Sequence, residues 1–262
     1  MKIVLHMFPE AKGYIAIEDN KPTALAVMRN LTLEEPRIQV VALKTKYPQG
    51  GEKQLIDAVI GREVPSGGLP ADVGCIVHNT DTVVAIYRAL LEGRPLMRRV
   101  ITIAGGAVAH SVTFKARIGT SIRELVEAAG GLVCPPSKII CGGPMMGTAL
   151  FSLDVPVTKG TAGILVFDQA EDHITRESAC IRCGKCVSAC PIHLMPLMLN
   201  QFALEMDWSS FEKYHGMDCI ECGSCAYICP AKRHLTQTFK AGKRMIQEQR
   251  KKAAAEKGGS HG

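Results

Sequence analysis

Cys180-Ile-Arg-Cys183-Gly-Lys-Cys186-Val-Ser-Ala-Cys190-Pro191 decides how this chain is read, because its rhythm returns at Cys219-Ile-Glu-Cys222-Gly-Ser-Cys225-Ala-Tyr-Ile-Cys229-Pro230. Each run is C-x2-C-x2-C-x3-C-P, a spacing that lets three thiolates of one loop point at one [4Fe–4S] cube while the fourth Cys serves the other cube. The expected sets are therefore Cys180, Cys183, Cys186 and Cys229 for one cluster, and Cys219, Cys222, Cys225 and Cys190 for the second. The prolines turn the chain away after each run. Zinc is the competing reading, since C-x2-C pairs also bind it. The third spaced Cys, the Cys-Pro ending and the duplication favour clusters. Disulfides fit less well: residues 1–6 are too short an apolar run for a secretory signal. The remaining Cys75, Cys134 and Cys141 are expected to be buried free thiols, and a reducing compartment suits all 11 cysteines.

Working outward, the 262 residues allow one large domain or two to three small ones, and 47% apolar content is enough for real cores. No stretch approaches the roughly 18 consecutive apolar residues of a membrane span. The net charge of +6 is unevenly held: nine Lys/Arg against two acids give residues 231–262 a charge of +7, leaving −1 for the rest. That pattern argues against a nucleic-acid partner and describes a basic tail, expected as a solvated helix fraying into a disordered end. Its sharper reading is a surface for an anionic partner, either a membrane face or an acidic electron carrier.

Residues 13–104 alternate apolar runs with helix-like stretches, which implies an α/β layer with a largely parallel sheet. Strands are expected at 14–18, 38–43, 74–77 and 100–104, and helices at 22–31, 51–60 and 80–91. Residues 105–170 read as a small α+β unit: a strand at 112–118, a helix at 120–129 capped by Thr120 or Ser121 and stopped by Gly130-Gly131, and a strand at 138–141. Between the two cysteine runs, 194–206 is apolar and helical. A charged helix over 235–255 then frays at Gly258-Gly259-Ser260. The cysteine runs repeat at a spacing of 39 residues, too briefly to make a solenoid.

Two upstream segments carry weaker signals. Tyr47-Pro-Gln-Gly50-Gly51-Glu52 is a glycine turn opening a helix, where backbone N–H groups suit a phosphate; plain turn glycines explain it equally well. His78-Asn79-Thr80-Asp81-Thr82 sits at an expected strand end, where α/β sheets place ligands, or Asn79 or Thr80 is a plain helix cap.

Five motifs in order resemble the C subunit of the Rnf-type (Rsx-type) ion-translocating electron transport complex, itself similar to the flavin- and NADH-binding subunit of respiratory complex I. They are Ile17-Glu-Asp-Asn-Lys-Pro22, Tyr47-Pro-Gln-Gly-Gly-Glu52, Val64-Pro-Ser-Gly-Gly-Leu-Pro70, Gly142-Gly-Pro-Met-Met-Gly147 and Cys180-Ile-Arg-Cys-Gly-Lys-Cys186. The resemblance implies α/β plus α+β architecture: a partial Rossmann-like flavoprotein domain over 1–104, a β-grasp (soluble-ligand-binding) domain over 105–170, a two-cluster ferredoxin-like helical domain over 171–234, and a basic tail over 235–262. It implies a peripheral subunit on the cytoplasmic face of the bacterial cell membrane. That subunit exchanges electrons between NAD(H) or ferredoxin and the membrane subunits, coupled to ion movement. Two [4Fe–4S] clusters are the implied cofactors, with FMN and NAD(H) beside them.

By the same resemblance, Tyr47, Gly50, Gly51 and Glu52 line the flavin/NADH pocket, and Asn79 and Thr82 lie beside the flavin. At Asp81 the chain departs from the Glu of the complex I form. A further departure is expected at the N-terminus, where the family's glycine-rich phosphate-binding segment has no counterpart in this sequence. A soluble cobalamin-reductase-like flavin–iron–sulfur reductase and a non-catalytic assembly module are the alternative readings. Arg182, Lys185 and Lys232 near the runs read as ordinary surface charge, or as cations that raise cluster potential and steer an acidic donor.

Overall fold

Short hydrophobic strands need a partner before they bury anything, and the first one finds it by a helical crossover. The computed structural model describes residues 1–172 and 176–258 and divides into two units, Met1–Pro95 and Leu96–Gly262. In the first unit, β1 (Gly13–Glu18) and β2 (Ile38–Leu43) pair in parallel, with Gly13 opposite Ile38 and Glu18 opposite Leu43. Between them runs α2 (Pro22–Leu31), with Pro at its start, where a missing N–H costs nothing. Helix α1 (Lys2–Met7) precedes β1, and the Arg37 guanidinium ties its end down through the carbonyls of Leu5 (3.1 Å) and Pro9 (2.9 Å). Leu5, Leu25, Ile38, Leu43 and Ile56 are the buried apolar side chains of this unit.

Helix α3 (Glu52–Ile60) starts after Gly51 and stops at Gly61, which takes the left-handed conformation (φ +65°) that favours glycine there. Helix α4 (Thr80–Leu91) starts at Asn79, whose side chain accepts the Asp81 N–H at 2.9 Å. The strand expected at 74–77 is absent. Pro70–Val73 forms a 3-10 turn that ends at left-handed Gly74, and 75–79 run on without a ladder partner. A strand needs a neighbour to share its ladder of hydrogen bonds, and the sheet of this unit is made by β1 and β2 without this segment.

In the second unit the sheet order is β4-β3-β7-β5-β6. Strand β3 (Arg98–Ala104) pairs antiparallel with β4 (Val112–Arg117) and parallel with β7 (Gly163–Phe167). Strand β5 (Lys138–Cys141) pairs antiparallel with β7 and β6 (Thr148–Leu150). The strand read as the last of the α/β layer, at 100–104, therefore works in this second sheet. Helix α5 (Ile122–Ala128) packs on it and is capped by Ser121, whose hydroxyl accepts the Arg123 N–H at 3.2 Å. Ile101, Ile103, Ile122, Val126, Ile164 and Val166 make a core that excludes water almost fully.

The remaining elements are helical: α6 (Lys185–Ser188), α7 (Pro196–Leu204), α8 (Trp208–Lys213), α9 (Ser224–Ile228) and α10 (Leu235–Gly258). Leu199, Phe211, Leu235, Phe239 and Ile246 form their shared core. Helix α10 is thus structural along its first half, where a solvated tail was expected. Gly242 meets Trp208 across the α8–α10 contact, and a Cβ on Gly216 would fall 2.2 Å from the Phe211 ring. The fray expected at Gly258-Gly259-Ser260 lies outside the described residues beyond Gly258. Among the described residues no helix is long and apolar enough to cross a membrane.

Candidate functional site

The two cysteine runs fold as near-copies of each other. Arg182 (φ 55°) and Glu221 (φ 58°) are left-handed at matching positions, as are Gly184 and Gly223, and His193 (φ 56°) and Lys232 (φ 52°) after each Cys-Pro. The left-handed step at Arg182 and Glu221 turns the backbone so that its N–H meets the first sulfur. Arg182 N–H donates to Cys180 Sγ and Glu221 N–H to Cys219 Sγ, each at 3.4 Å. Leu194 N–H donates to Cys190 Sγ at 3.3 Å. Hydrogen bonds aimed at sulfur favour the thiolate that metal binding requires.

Two cavities result. One is lined by Cys180, Cys183, Cys186 and Cys229. The other is lined by Cys190, Cys219, Cys222 and Cys225. Each takes three thiols from one run and the fourth from the other. Burial pushes the Cys219 thiol up to about 11 and the Cys225 thiol up to about 12, and it raises Cys186 as well. Smaller upward pushes come from Cys229 and Cys180 on Cys186, and from Cys190 on Cys219, so the crossed thiols stand near enough to interact. A bound metal must displace these protons. The cavities differ in exposure: Cys180 and Cys183 are exposed, whereas Cys222 and Cys225 are buried.

The donor set fits a cluster better than a single ion. Each cavity is lined by four cysteines and no histidine, three from one run and one from the other. A zinc site draws four sulfurs to about 2.3 Å from one centre, whereas a cubane gives each thiolate its own iron and needs them spread around a cavity.

The upstream residues sit in the first unit. Glu52 opens α3 as an acid in the first turn, Gly50 is exposed and Gly51 half-buried. Tyr47 is half-exposed, and its bond to Pro48 is cis. Gln49 and Gln54 flank the glycines, and each has a buried Oε1 with no hydrogen-bond partner among the described residues. Such unmet acceptors are a demand that a donor-bearing ligand can satisfy, so the turn is compatible with a nucleotide or flavin. The glutamines were missed in the sequence; burial alone reveals them. Asn79 is engaged as the α4 cap, and Thr82 N–H donates to its carbonyl at 3.0 Å. Of the other thiols, Cys75, Cys134 and Cys141 are half-buried, a correction to their expected burial; Cys134 and Cys141 lie at the edge of the sheet core. Arg182, Lys185 and Lys232 are exposed, as surface charges are.

These features define an iron–sulfur protein with an attached α/β unit, and the family models agree. A Nuo51 FMN-binding domain matches residues 1–88, an SLBB domain residues 100–149, and a 4Fe-4S dicluster domain residues 167–234. The resemblance to the C subunit of ion-translocating electron transport complexes holds over nearly the whole chain. The chain is 45% identical over 252 residues to the C subunit of the Na(+)-translocating ferredoxin:NAD(+) oxidoreductase complex of Acetobacterium woodii, covering 96% of this chain and 57% of that protein. It is 48% identical over 238 residues to the C subunit of the proton-translocating ferredoxin:NAD(+) oxidoreductase complex of Clostridium ljungdahlii, covering 90% and 52%. The C subunit of an ion-translocating oxidoreductase complex of Pseudomonas aeruginosa is 44% identical over 239 residues, covering 91% of this chain and 31% of that protein. The chain thus spans about half the length of the first two relatives, and less of the third.

Proposed function

We propose that this chain is the electron-carrying part of a peripheral subunit in a membrane-bound, ion-translocating oxidoreductase. It passes electrons between NAD(H) or ferredoxin and the membrane subunits, at the cytoplasmic face. The observation that carries this reading is the pair of cavities, each lined by four cysteines in the crossed arrangement. Cys180, Cys183, Cys186 and Cys229 would hold one [4Fe–4S] cluster, and Cys219, Cys222, Cys225 and Cys190 the other. When bound, each cluster takes up and releases single electrons. The protein's own part is to hold the thiolates, to aim backbone N–H groups at sulfur, and to keep water from the buried site with Leu194, Pro196 and Phe239.

Tyr47, Gly50, Gly51, Glu52, Asn79 and Thr82 are proposed to border an FMN and NAD(H) site, supported by the FMN-binding domain match and by the unmet acceptors of Gln49 and Gln54. The modules are proposed as a partial Rossmann-like flavoprotein domain, a β-grasp domain that includes β3, and a ferredoxin-like helical domain that includes the first half of α10. The helical boundary so placed runs past 234, because Leu235, Phe239 and Ile246 sit in that domain's core.

The test is reductive titration of the anaerobically reconstituted chain. Two one-electron uptakes per chain, with bleaching of the visible iron–sulfur absorbance, are expected. Iron-loaded protein that takes up no electrons would contradict the role.

A further inference from the structure

The two runs match in backbone but differ in what stands over their first turn. In the second run, Lys243 reaches in from α10 with a side chain only 17% exposed. Its ammonium donates to the Cys219 carbonyl at 2.7 Å and lies 2.8 Å from Glu221 Oε1. Cys219 and Glu221 bracket the turn that carries the first thiol and the N–H aimed at it. One ammonium therefore braces both sides of that turn. The lysine is itself fixed, because Phe239 and Ile246, a helical turn to either side, are 1% and 2% exposed. In the first run Arg182 takes the place of Glu221, and Cys180, Ile181 and Arg182 all face solvent.

We propose that Lys243 is a positioning residue for the second cluster site. With Glu221 it sets a fixed cation–carboxylate pair beside the second cluster, distinct from the Arg233–Glu177 pair that stands ahead of the first run, so the two clusters have one-electron potentials that can be tuned separately. The proposal rests on reading the cavities as [4Fe–4S] sites. A four-thiolate cluster gains negative charge on reduction. A nearby cation therefore favours the reduced form, a nearby carboxylate opposes it, and partial burial limits solvent screening of both. Removing either member leaves the other uncompensated, so the two removals act in opposite directions.

The experiment uses the full chain, reconstituted anaerobically, with iron and sulfide counts and an EPR-monitored redox titration. The second-cluster signal is the one that Cys222→Ser abolishes. Lys243→Met is expected to lower that midpoint by roughly tenfold in the reduction equilibrium, about 59 mV for one electron. Glu221→Gln is expected to raise it, Lys243→Arg to restore it, and the first cluster's midpoint to stay in place in all three. A merely structural brace would move Lys243→Met and Glu221→Gln the same way or cost iron in both. If Lys243→Met sheds iron, Glu221→Gln decides, since it keeps the lysine: no rise there overturns the proposal. Unchanged midpoints, or equal shifts of both clusters, also overturn it. A wild-type chain that takes up no iron and sulfide would instead overturn the cluster reading underneath.

Discussion

Cys186 shares its cavity with Cys229 of the other run, while Cys190 of its own run lines the opposite cavity. The crossing means that neither site is complete until both runs are folded together. Cys190→Ser should therefore behave like Cys222→Ser, with about half the iron lost and the same EPR signal missing. Matching Cys183→Ser instead would mean that each run holds its own four ligands. Iron and sulfide analysis with EPR on the three variants distinguishes the outcomes.

Gly184 and Gly223 occupy matching left-handed positions but unlike surroundings. A Cβ on Gly184 meets open space, whereas one on Gly223 falls 2.8 Å from the Met145 carbonyl oxygen. Gly184→Ala should cost about 1–2 kcal/mol for the backbone alone and keep its cluster. Gly223→Ala should cost more and loosen the second site, read as lower iron occupancy there. Equal effects in thermal unfolding and iron content would argue against the Met145 contact. The same contact gives the Gly142-Gly-Pro-Met-Met-Gly147 turn a use: it closes over the second cysteine run.

Helix α10 supplies Leu235, Phe239 and Ile246 to the helical core. Phe239→Ala should destabilise that domain by about 3–5 kcal/mol. Truncation after residue 234 should leave it unable to retain iron. Chemical denaturation of the single variant and iron analysis of the truncation check this; unchanged stability in the first would mean that the segment behaves as a free basic arm.

How much of this was legible beforehand depended on where the information lay. The helix at 80–91 was readable because Asn79 caps it and its length spans several turns. The cysteine spacing made the crossed grouping of thiols around two cavities legible. Strand β7 was not read, because Gly163–Phe167 is a short apolar run that periodicity cannot assign. The partners of β3 come from tertiary pairing with β7, which no local pattern records. Helices α6 and α9, with 4 and 5 residues, are too short for a periodic signal. The left-handed Arg182 and Glu221 escape residue-type rules because neither is glycine. Lys243 looked like one more charge on a basic helix until its burial showed what it touches.

Asp154 and Arg123 form a bidentate pair, with Nε–Oδ1 at 2.6 Å and Nη2–Oδ2 at 2.8 Å, joining α5 to the loop before Val155. Its bonds from Arg123 and Ser152 hold the Asp154 carboxyl at about 2, below its ordinary 3.8. A depressed carboxylate stabilises the fold above its unfolded value and loses that contribution as pH falls through the folded one. The gap in melting temperature between wild type and Asp154→Asn should therefore be present near neutral pH, shrink from about pH 4 downward and close near pH 2. Both side chains are exposed, so the gap should be small and shrink with added salt. A gap that widens in acid would contradict the pairing.

The most direct test is to count iron, sulfide and flavin on the same anaerobically reconstituted sample. The account predicts about eight iron and eight sulfide per chain. Bound FMN would extend the reading to the glycine turn at Gly50-Gly51. Tetrahedral zinc without sulfide, or about four iron per chain, would contradict the two crossed clusters on which the rest depends.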